Sequence, residues 1–258
     1  MKKSLSIALF GCAFSFSSSF GATVFTDNFT YANGALVGNG GWTQNLTVAT
    51  NPIQVTDGIV PLTTGQDVYN NFTAAISATD GTFAYYAARI VVTAATASGE
   101  YFLHFTNGLT NPSFFTARLA AQSTAGGFFL GYSESTVAGT TYGTQVLTLS
   151  APYNVIVRYG FVAGTLNDTG AVFVSAGAFD PVELSNTPYL TDAYNGATAE
   201  IGNFTGFQLR QGAAANAPAV VVDNLIVGNT FADVSSIPEP TTSLLGMLGT
   251  IGLLRRRR

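Results

Sequence analysis

Charged side chains are scarce in this sequence of 258 residues. They make up 9% of the chain, whereas soluble domains usually carry about 25%. Long apolar runs are also missing, because no stretch reaches the roughly 18 consecutive apolar residues of a typical membrane-spanning helix. The second absence excludes a polytopic membrane protein. The 20 Phe and 11 Tyr residues exclude a charge-rich disordered chain, which lacks the residues that form a core.

Lysine is missing from the body of the chain. Lys2 and Lys3 are the only lysines, and four of the eight arginines occupy positions 255–258. Residues 22–236 therefore hold four arginines against thirteen acidic residues, a net charge of −9. Nucleic-acid binding needs clustered basic side chains that displace counterions from phosphates. The composition thus argues against nucleic acid as a partner.

Cysteine and histidine occur once each, as Cys12 and His104. One thiol forms neither an internal disulfide nor a cysteine-based metal site. His104 follows Glu100 and Phe102 at two-residue spacing, which would place the three side chains on one face of a strand. A Glu–His pair can act as an acid–base unit or as half of a metal site. An ordinary strand histidine is the simpler interpretation.

The first 21 residues have the features of a secretory signal peptide. Lys2 and Lys3 form a basic start, residues 5–16 are mostly apolar, and small residues precede a predicted cleavage before Ala22. This pattern predicts export through the Sec translocon and removal of residues 1–21 by signal peptidase. The alternative is a lipoprotein signal, in which Cys12 would become a lipidated N-terminus.

The C-terminal segment, 235–258, contains three ordered parts. They are the triplet Pro238, Glu239 and Pro240, an apolar stretch at 244–254, and the cluster Arg255, Arg256, Arg257 and Arg258. A helix of about eleven to fourteen residues around this stretch would span about 16–21 Å, which is short of the roughly 30 Å hydrocarbon core of a bilayer. Basic residues stay on the cytoplasmic side, so the arginines are predicted to stop transfer. The two prolines keep the preceding backbone extended.

This tail resembles the PEP-CTERM sorting signal of Gram-negative bacteria. The resemblance implies recognition by an exosortase, an integral-membrane cysteine protease that cuts near the triplet while the short transmembrane helix is transiently inserted in the inner membrane. The protein would then be released or attached at the cell surface, often in bacteria that make exopolysaccharide. A plain C-terminal tail anchor is the alternative.

Between the two ends, residues 22–234 are predicted to form one all-β domain. Runs rich in Val, Phe, Tyr and Thr are bounded by Gly, Asn, Asp or Pro, and several alternate with period two. No repeat of 20–50 residues indicates a solenoid or propeller. A change of phase within 204–211 predicts a bulge at Gly206. The predicted strands are 24–29, 42–48, 58–62, 82–93, 100–106, 114–121, 127–133, 144–149, 153–161, 171–175, 204–211 and 220–227. Many short strands and no long helix predict a two-sheet antiparallel β-sandwich.

The two ends of this body carry a second resemblance. Phe25-Thr26-Asp27-Asn28-Phe29 and the closing segment 222–234 are similar to the ends of concanavalin A-like (LamG/glucanase-type) jelly-roll domains. The resemblance implies that the first and last strands lie side by side. It also implies a structural Ca²⁺ near them, with Asp27 and Asp223 as candidate ligands; alternatively both aspartates cap turns. No other cofactor is predicted.

Catalytic residues are not predicted. Retaining glycosidases need two carboxylates about 5–5.5 Å apart, and the Glu-x-Asp-x-x-Glu signature of the glucanases with this fold is missing. Carbohydrate contact needs flat aromatic side chains beside polar groups. The candidates are Trp42, Tyr85, Tyr86, Tyr101, Tyr132 and Tyr142.

The sequence therefore favours an exported, non-enzymatic surface or matrix protein. Its lectin-like sandwich would contact extracellular polysaccharide. The alternatives are a divergent polysaccharide hydrolase on the same fold and a structural surface protein without a ligand.

Overall fold

The computed structural model describes residues 23–45, 50–108, 114–134, 139–193, 200 and 202–237. Within these residues the chain forms sixteen β-strands, a 3₁₀ turn at Glu183–Ser185 and one short helix, α1, at Phe231–Ser235. None of the helical segments described is long and apolar enough to cross a membrane. The predicted signal peptide, the Pro-Glu-Pro triplet, the apolar stretch and the arginine cluster lie outside the described residues.

The first sheet has seven antiparallel strands. They are β1 (Phe25–Asp27), β5 (Val60–Leu62), β7 (Phe83–Ala94), β12 (Pro152–Gly160), β13 (Thr169–Ser175), β14 (Leu190–Ala193) and β16 (Ala219–Gly228). Their order is β1-β16-β7-β12-β13-β14, and β5 pairs with β16 beside β1. The strands β1 and β14 thus form opposite edges of this sheet.

The second sheet also has seven antiparallel strands. They are β3 (Thr43–Asn45), β6 (Asp67–Ser77), β8 (Glu100–Asn107), β9 (Phe114–Thr124), β10 (Gly127–Ser133), β11 (Thr141–Tyr142) and β15 (Asn203–Leu209). Their order is β11-β10-β9-β8-β15-β6-β3. A small separate ladder joins β2 (Gly34–Ala35) to β4 (Gln54–Val55).

The two sheets pack face to face around an aromatic core. Phe105 of β8 stacks on Phe204 of β15 with ring centroids 4.6 Å apart, and Tyr86 of β7 meets Phe207 edge-on at 4.8 Å. Each such fully buried side chain contributes about 1.5–3 kcal/mol. The predicted two-sheet antiparallel sandwich is therefore confirmed.

The outer face of the first sheet is covered as well. Tyr85, Ile156 and Phe173 point away from the main core and pack with Phe231 and Val234 of α1 in a second apolar cluster. The helix begins with a capping box, in which Thr230 and Asp233 each bind the other's backbone N–H. Because α1 follows β16 directly, the end of the described chain lies against this face.

Three local predictions are confirmed by the strand pairing. The register of β15 against β6 shifts between Phe204 and Gly206, which is the predicted bulge. The first and last strands pair side by side, with Thr26 opposite Ile226. In β12, Val155, Val157 and Tyr159 face the core between the sheets, while Ile156 faces the outer cluster.

Other elements differ from the predicted strands. The strand predicted at 144–149 is reduced to one isolated bridge between Phe128 and Leu147. The eleven-residue β6 was not predicted, because the polar pair Asn70-Asn71 and the exposed alanines that follow interrupt its apolar pattern. The strand β14 was missed as well, because its four residues are too short to show a period.

Candidate functional site

A cleft of about 570 Å³ opens at one end of the sandwich. Three segments that are distant in sequence form its walls: Asp80 in the β6–β7 connection, residues 161–168 between β12 and β13, and Glu200 with Gly202 just before β15. The pairing of Gly160 with Phe83 brings the first two connections to the same end of the first sheet.

Carboxylates of the other two segments hold residues 161–168, which we call the cleft loop. The Ala163 N–H donates to Asp80 Oδ1 at 2.8 Å. The N–H groups of Asn167 and Asp168 both donate to Glu200 Oε1, the second at 2.9 Å. Each of these hydrogen bonds engages one oxygen of its carboxylate, and carboxylate oxygens are the acceptors that a ligand hydroxyl requires.

Apolar side chains stand beside these acids. Val162 and Leu166 are 40% and 48% exposed, and Phe161, which also lines the cleft, is buried in the core between the sheets. Leu166 has φ of 60°, a left-handed conformation that is uncommon for a residue other than glycine. Such strain persists only where the surroundings impose it, and it is concentrated at functional sites. The cleft thus combines a fixed loop, exposed apolar side chains and carboxylate acceptors.

A third acid, Asp168, anchors the base of the cleft. Its Oδ1 accepts from the Val162 N–H at 2.7 Å and its Oδ2 accepts from the Tyr159 hydroxyl. Burial raises the pKa of Asp168, and these two hydrogen bonds lower it in part. Asp168 therefore links the cleft loop to the core between the two sheets.

The four arginines of the body all lie away from the cleft. Arg158 pairs with Glu183, Arg210 pairs with Glu100 at 3.1 Å, Arg118 lies over the Tyr101 ring at 4.6 Å, and Arg89 is opposite Asp223 in the β7–β16 ladder. Among the described lining residues there is no basic side chain. The described lining of the cleft is therefore acidic.

The aromatic residues considered as a sugar-binding surface are mostly buried. Trp42, Tyr86 and Tyr132 are at most 1% exposed, and Tyr85 and Tyr101 are 2% and 7% exposed. Only Tyr142 among the six candidates is partly exposed. Tyr85 is buried because α1 covers the outer face of the first sheet, and Tyr101 because Arg118 and Arg210 lie over its ring. Strand alternation alone shows neither.

Asp27, one of the two candidate calcium ligands, is a hydrogen-bond acceptor for three groups. Its Oδ1 accepts from the Phe29 N–H at 2.7 Å, and its Oδ2 accepts from Trp42 Nε1 at 2.7 Å and from the Tyr31 hydroxyl at 2.9 Å. Burial and the bond to Asp27 raise the pKa of Tyr31 to about 12. This carboxylate ties the chain after β1 to the buried indole.

Asp223, the other candidate, lies on the strand next to Asp27. It accepts from the N–H of Asn224 at 2.7 Å, and burial raises its pKa. No group of three or more His, Cys, Asp or Glu side chains that could hold a metal ion occurs in the described ranges. A calcium ion at Asp27 and Asp223 stays a prediction.

His104 does not share a face with Phe102, which corrects the expectation from two-residue spacing. The register of β8 against β9 shifts between Tyr101 and Leu103 and again before Phe105, so Phe102 packs into the core between the sheets. The His104 ring instead contacts Tyr101 and Phe115, at 5.4 and 4.7 Å between centroids. Burial lowers the pKa of His104 to about 3. The imidazole is therefore neutral and inaccessible to solvent.

Comparison with known proteins finds solved structures of limited similarity and no matching family. No protein-family model and no curated protein sequence matches the chain. The CBM2 module of the evolved Dit protein from Lactobacillus casei BL23 phage J-1 is similar in structure, with a TM-score of 0.48 and 10% identity over 82% of this chain and 96% of that chain. The basic winged bean lectin, solved with Tn-antigen, has a TM-score of 0.44 and 10% identity over 79% and 96%. A pseudo-β-1,3-glucanase and immunostimulatory antigen of Mycobacterium tuberculosis has a TM-score of 0.42 and 14% identity over 81% and 100%. These similarities concern the fold alone.

Proposed function

We propose that this protein is an exported, non-enzymatic surface or matrix protein whose lectin-like sandwich contacts neutral polysaccharide through the cleft. The observation that carries the proposal is the combination of carboxylate acceptors, exposed apolar side chains and a braced loop in one concave site. Binding sites for small polar ligands commonly pair apolar lining with a few fixed polar groups.

The chemistry of the cleft favours a hydroxyl-rich, uncharged ligand. Sugar hydroxyls donate to the carboxylate oxygens of Asp80 and Glu200, and the C–H face of a sugar ring packs against Leu166. An acidic polysaccharide would meet these carboxylates without a nearby arginine, and like charges in contact oppose binding. We therefore expect neutral glycans to bind and uronic acid polymers to be rejected.

The proposed role is binding rather than hydrolysis. Asp80, Asp168 and Glu200 all accept hydrogen bonds from backbone N–H groups of the cleft loop, which makes them braces of that loop. A hydrolase on this fold remains the competing function. Release of reducing sugar from the producing organism's own exopolysaccharide would establish it.

A glycan array with the purified exported protein tests the binding proposal. Asp80→Asn and Glu200→Gln keep the size of each side chain and remove its charge. We expect each to weaken binding of neutral glycans about tenfold, because a charge-assisted hydrogen bond contributes about 1.5 kcal/mol or more. Asp180→Asn, at an exposed position outside the cleft, is the matched control. Binding that is absent, or equal in all four proteins, would contradict the proposal.

The proposed route to the surface is the sorting tail. The described chain ends at Ile237, which is 5% exposed against the outer face of the first sheet, and Pro238 follows directly. We propose that Pro238, Glu239 and Pro240 are the exosortase recognition motif and that Arg255–Arg258 stop transfer in the inner membrane. Replacing the triplet by three alanines should leave full-length protein in the inner membrane. Unchanged export would contradict this route.

A further inference from the structure

An acidic cluster is enclosed between the sheets behind the cleft. Tyr132 lies near the end of β10, and its ring belongs to the core between the two sheets. Glu134 is two residues further along the chain and is 1% exposed. Its burial and the contact of its carboxyl with that of Asp192 place the Glu134 side chain between the sheets.

The facing strands of the first sheet supply a second carboxylate. Leu190 of β14 packs in the core, and Asp192, two residues further, shares its face. Gly170 of β13 lies in register between Tyr159 of β12 and Asp192. A Cβ at Gly170 would lie 2.1 Å from a ring carbon of Tyr132. Because Gly170 has no side chain, the Tyr132 ring can pack against the row formed by Tyr159, Gly170 and Asp192.

The polar groups of the cluster have few hydrogen-bond donors. Among the described residues the buried Tyr132 hydroxyl has no hydrogen-bond partner, and the buried Glu134 carboxyl faces its own backbone N–H and the Asp192 carboxyl. Asp192 Oδ1 accepts from the Thr141 hydroxyl at 2.8 Å. Two buried carboxylates in contact are strongly unfavourable unless a proton or a cation lies between them.

We propose that Glu134 and Asp192, together with the Tyr132 hydroxyl, bind a hard divalent cation, with Ca²⁺ as the best match. Two carboxylates supply the charge that balances such an ion. The oxygen ligands suit Ca²⁺, which tolerates irregular coordination and accepts neutral oxygens alongside carboxylates. Zinc prefers nitrogen and sulfur ligands, and the cluster contains neither.

The proposed ion would connect the two sheets at one edge. Glu134 follows a strand of the second sheet, and Asp192 belongs to the edge strand of the first. Tyr159, in the same row as Gly170, donates to Asp168 at the base of the cleft. The site is separate from Asp27 and Asp223, which lie at or beside the opposite edge of the first sheet. The inference does not depend on the proposed polysaccharide binding.

Thermal unfolding with and without calcium tests the site. The protein is stripped with EDTA and then titrated with CaCl₂ or MgCl₂ at fixed pH and ionic strength. A site occupied at about a hundredfold excess over its Kd should raise Tm by about 5–10 °C. Magnesium should have a smaller effect, because it demands near-ideal octahedral geometry. Isothermal titration should give one calcium ion per chain.

Isosteric variants assign the effect to the cluster. Glu134→Gln and Asp192→Asn keep side-chain volume, and both should fold while losing the calcium-dependent rise in Tm. Asp223→Asn is the matched control and should retain the rise. A Tm that calcium does not change would overturn the proposal and leave the two carboxyl groups sharing a proton. A rise that disappears only in Asp223→Asn would equally overturn it, because the ion would then lie at the terminal strands.

Discussion

Replacing Asp27 by alanine should strongly destabilise the fold. The carboxylate is 7% exposed and accepts hydrogen bonds from the Phe29 backbone, the Trp42 indole and the Tyr31 hydroxyl. Trp42 and Phe29 are at most 1% exposed, so neither donor can turn to water when the acceptor is removed. The Tyr31 hydroxyl is only part-buried and can be solvated.

The size of the effect follows from the two buried donors, the Phe29 N–H and the Trp42 indole N–H, that would lose their acceptor. Each buried donor left without an acceptor costs about 1–3 kcal/mol, so Asp27→Ala should lower the free energy of unfolding by about 4 kcal/mol. Asp27→Asn keeps one carbonyl oxygen, which can serve the indole but not also the Phe29 N–H. We expect about half the loss for that variant, about 2 kcal/mol.

Urea unfolding followed by tryptophan fluorescence measures these losses, since Trp42 is the single tryptophan. The extrapolated free energies are comparable if the m-values stay equal. Asp180→Ala, at an exposed position, is the control and should change the stability by less than about 1 kcal/mol. A loss below about 1 kcal/mol for Asp27→Ala would refute the hydrogen-bond argument. So would a loss that vanishes in EDTA, because it would then depend on a bound metal.

Three further predictions concern packing and charge. Gly170→Ala should lower the free energy of unfolding by about 1–3 kcal/mol, because its Cβ would overlap the Tyr132 ring; Gly177→Ala, where nothing lies within 4 Å, should be nearly neutral in the same urea assay. Phe231→Ala should cost about 3–5 kcal/mol, because it empties the centre of the outer cluster, and the measurement is the urea midpoint. Burial raises the pKa of Asp67 to about 6, so the folded state binds the proton more tightly than the unfolded state does. The stability that this group contributes is full below about pH 4 and is lost as the pH rises through 6. Asp67→Asn should abolish this pH dependence, which unfolding curves at pH 4 and 7 measure.

These predictions fail in recognisable ways. Equal losses for Gly170→Ala and Gly177→Ala would show that the contact with Tyr132 does not limit packing. A small loss for Phe231→Ala would show that α1 is not held on the outer face. If Asp67→Asn has the same pH dependence as the parent protein, another group controls stability in that range.

The strand pattern was readable from sequence where one side of a strand differs from the other. The alternation of 153–159 predicted β12, and the change of phase at Gly206 predicted the bulge in β15. The strand β6 was not found because Asn70 and Asn71 interrupt its alternation. The faces of β8 were assigned wrongly because its register shifts twice, and no single-strand pattern shows that.

The cleft could not be predicted from the sequence, because the topology of the fold brings its residues together. Asp80, Asp168 and Glu200 come from three connections that meet only after the sheets form. The same holds for Glu134 and Asp192, which follow or belong to strands of different sheets. Their carboxylates are unremarkable along the chain, and only their burial and shared location distinguish them.

Intact mass combined with fractionation of the native protein tests the central claim most directly. We predict that the protein is recovered outside the cytoplasm with a mass that lacks residues 1–21 and the C-terminal arginine cluster. That result would mean that what reaches the surface is the acidic β-sandwich described here. A full-length mass in the cytoplasmic fraction would contradict export, processing and any role in binding extracellular polysaccharide.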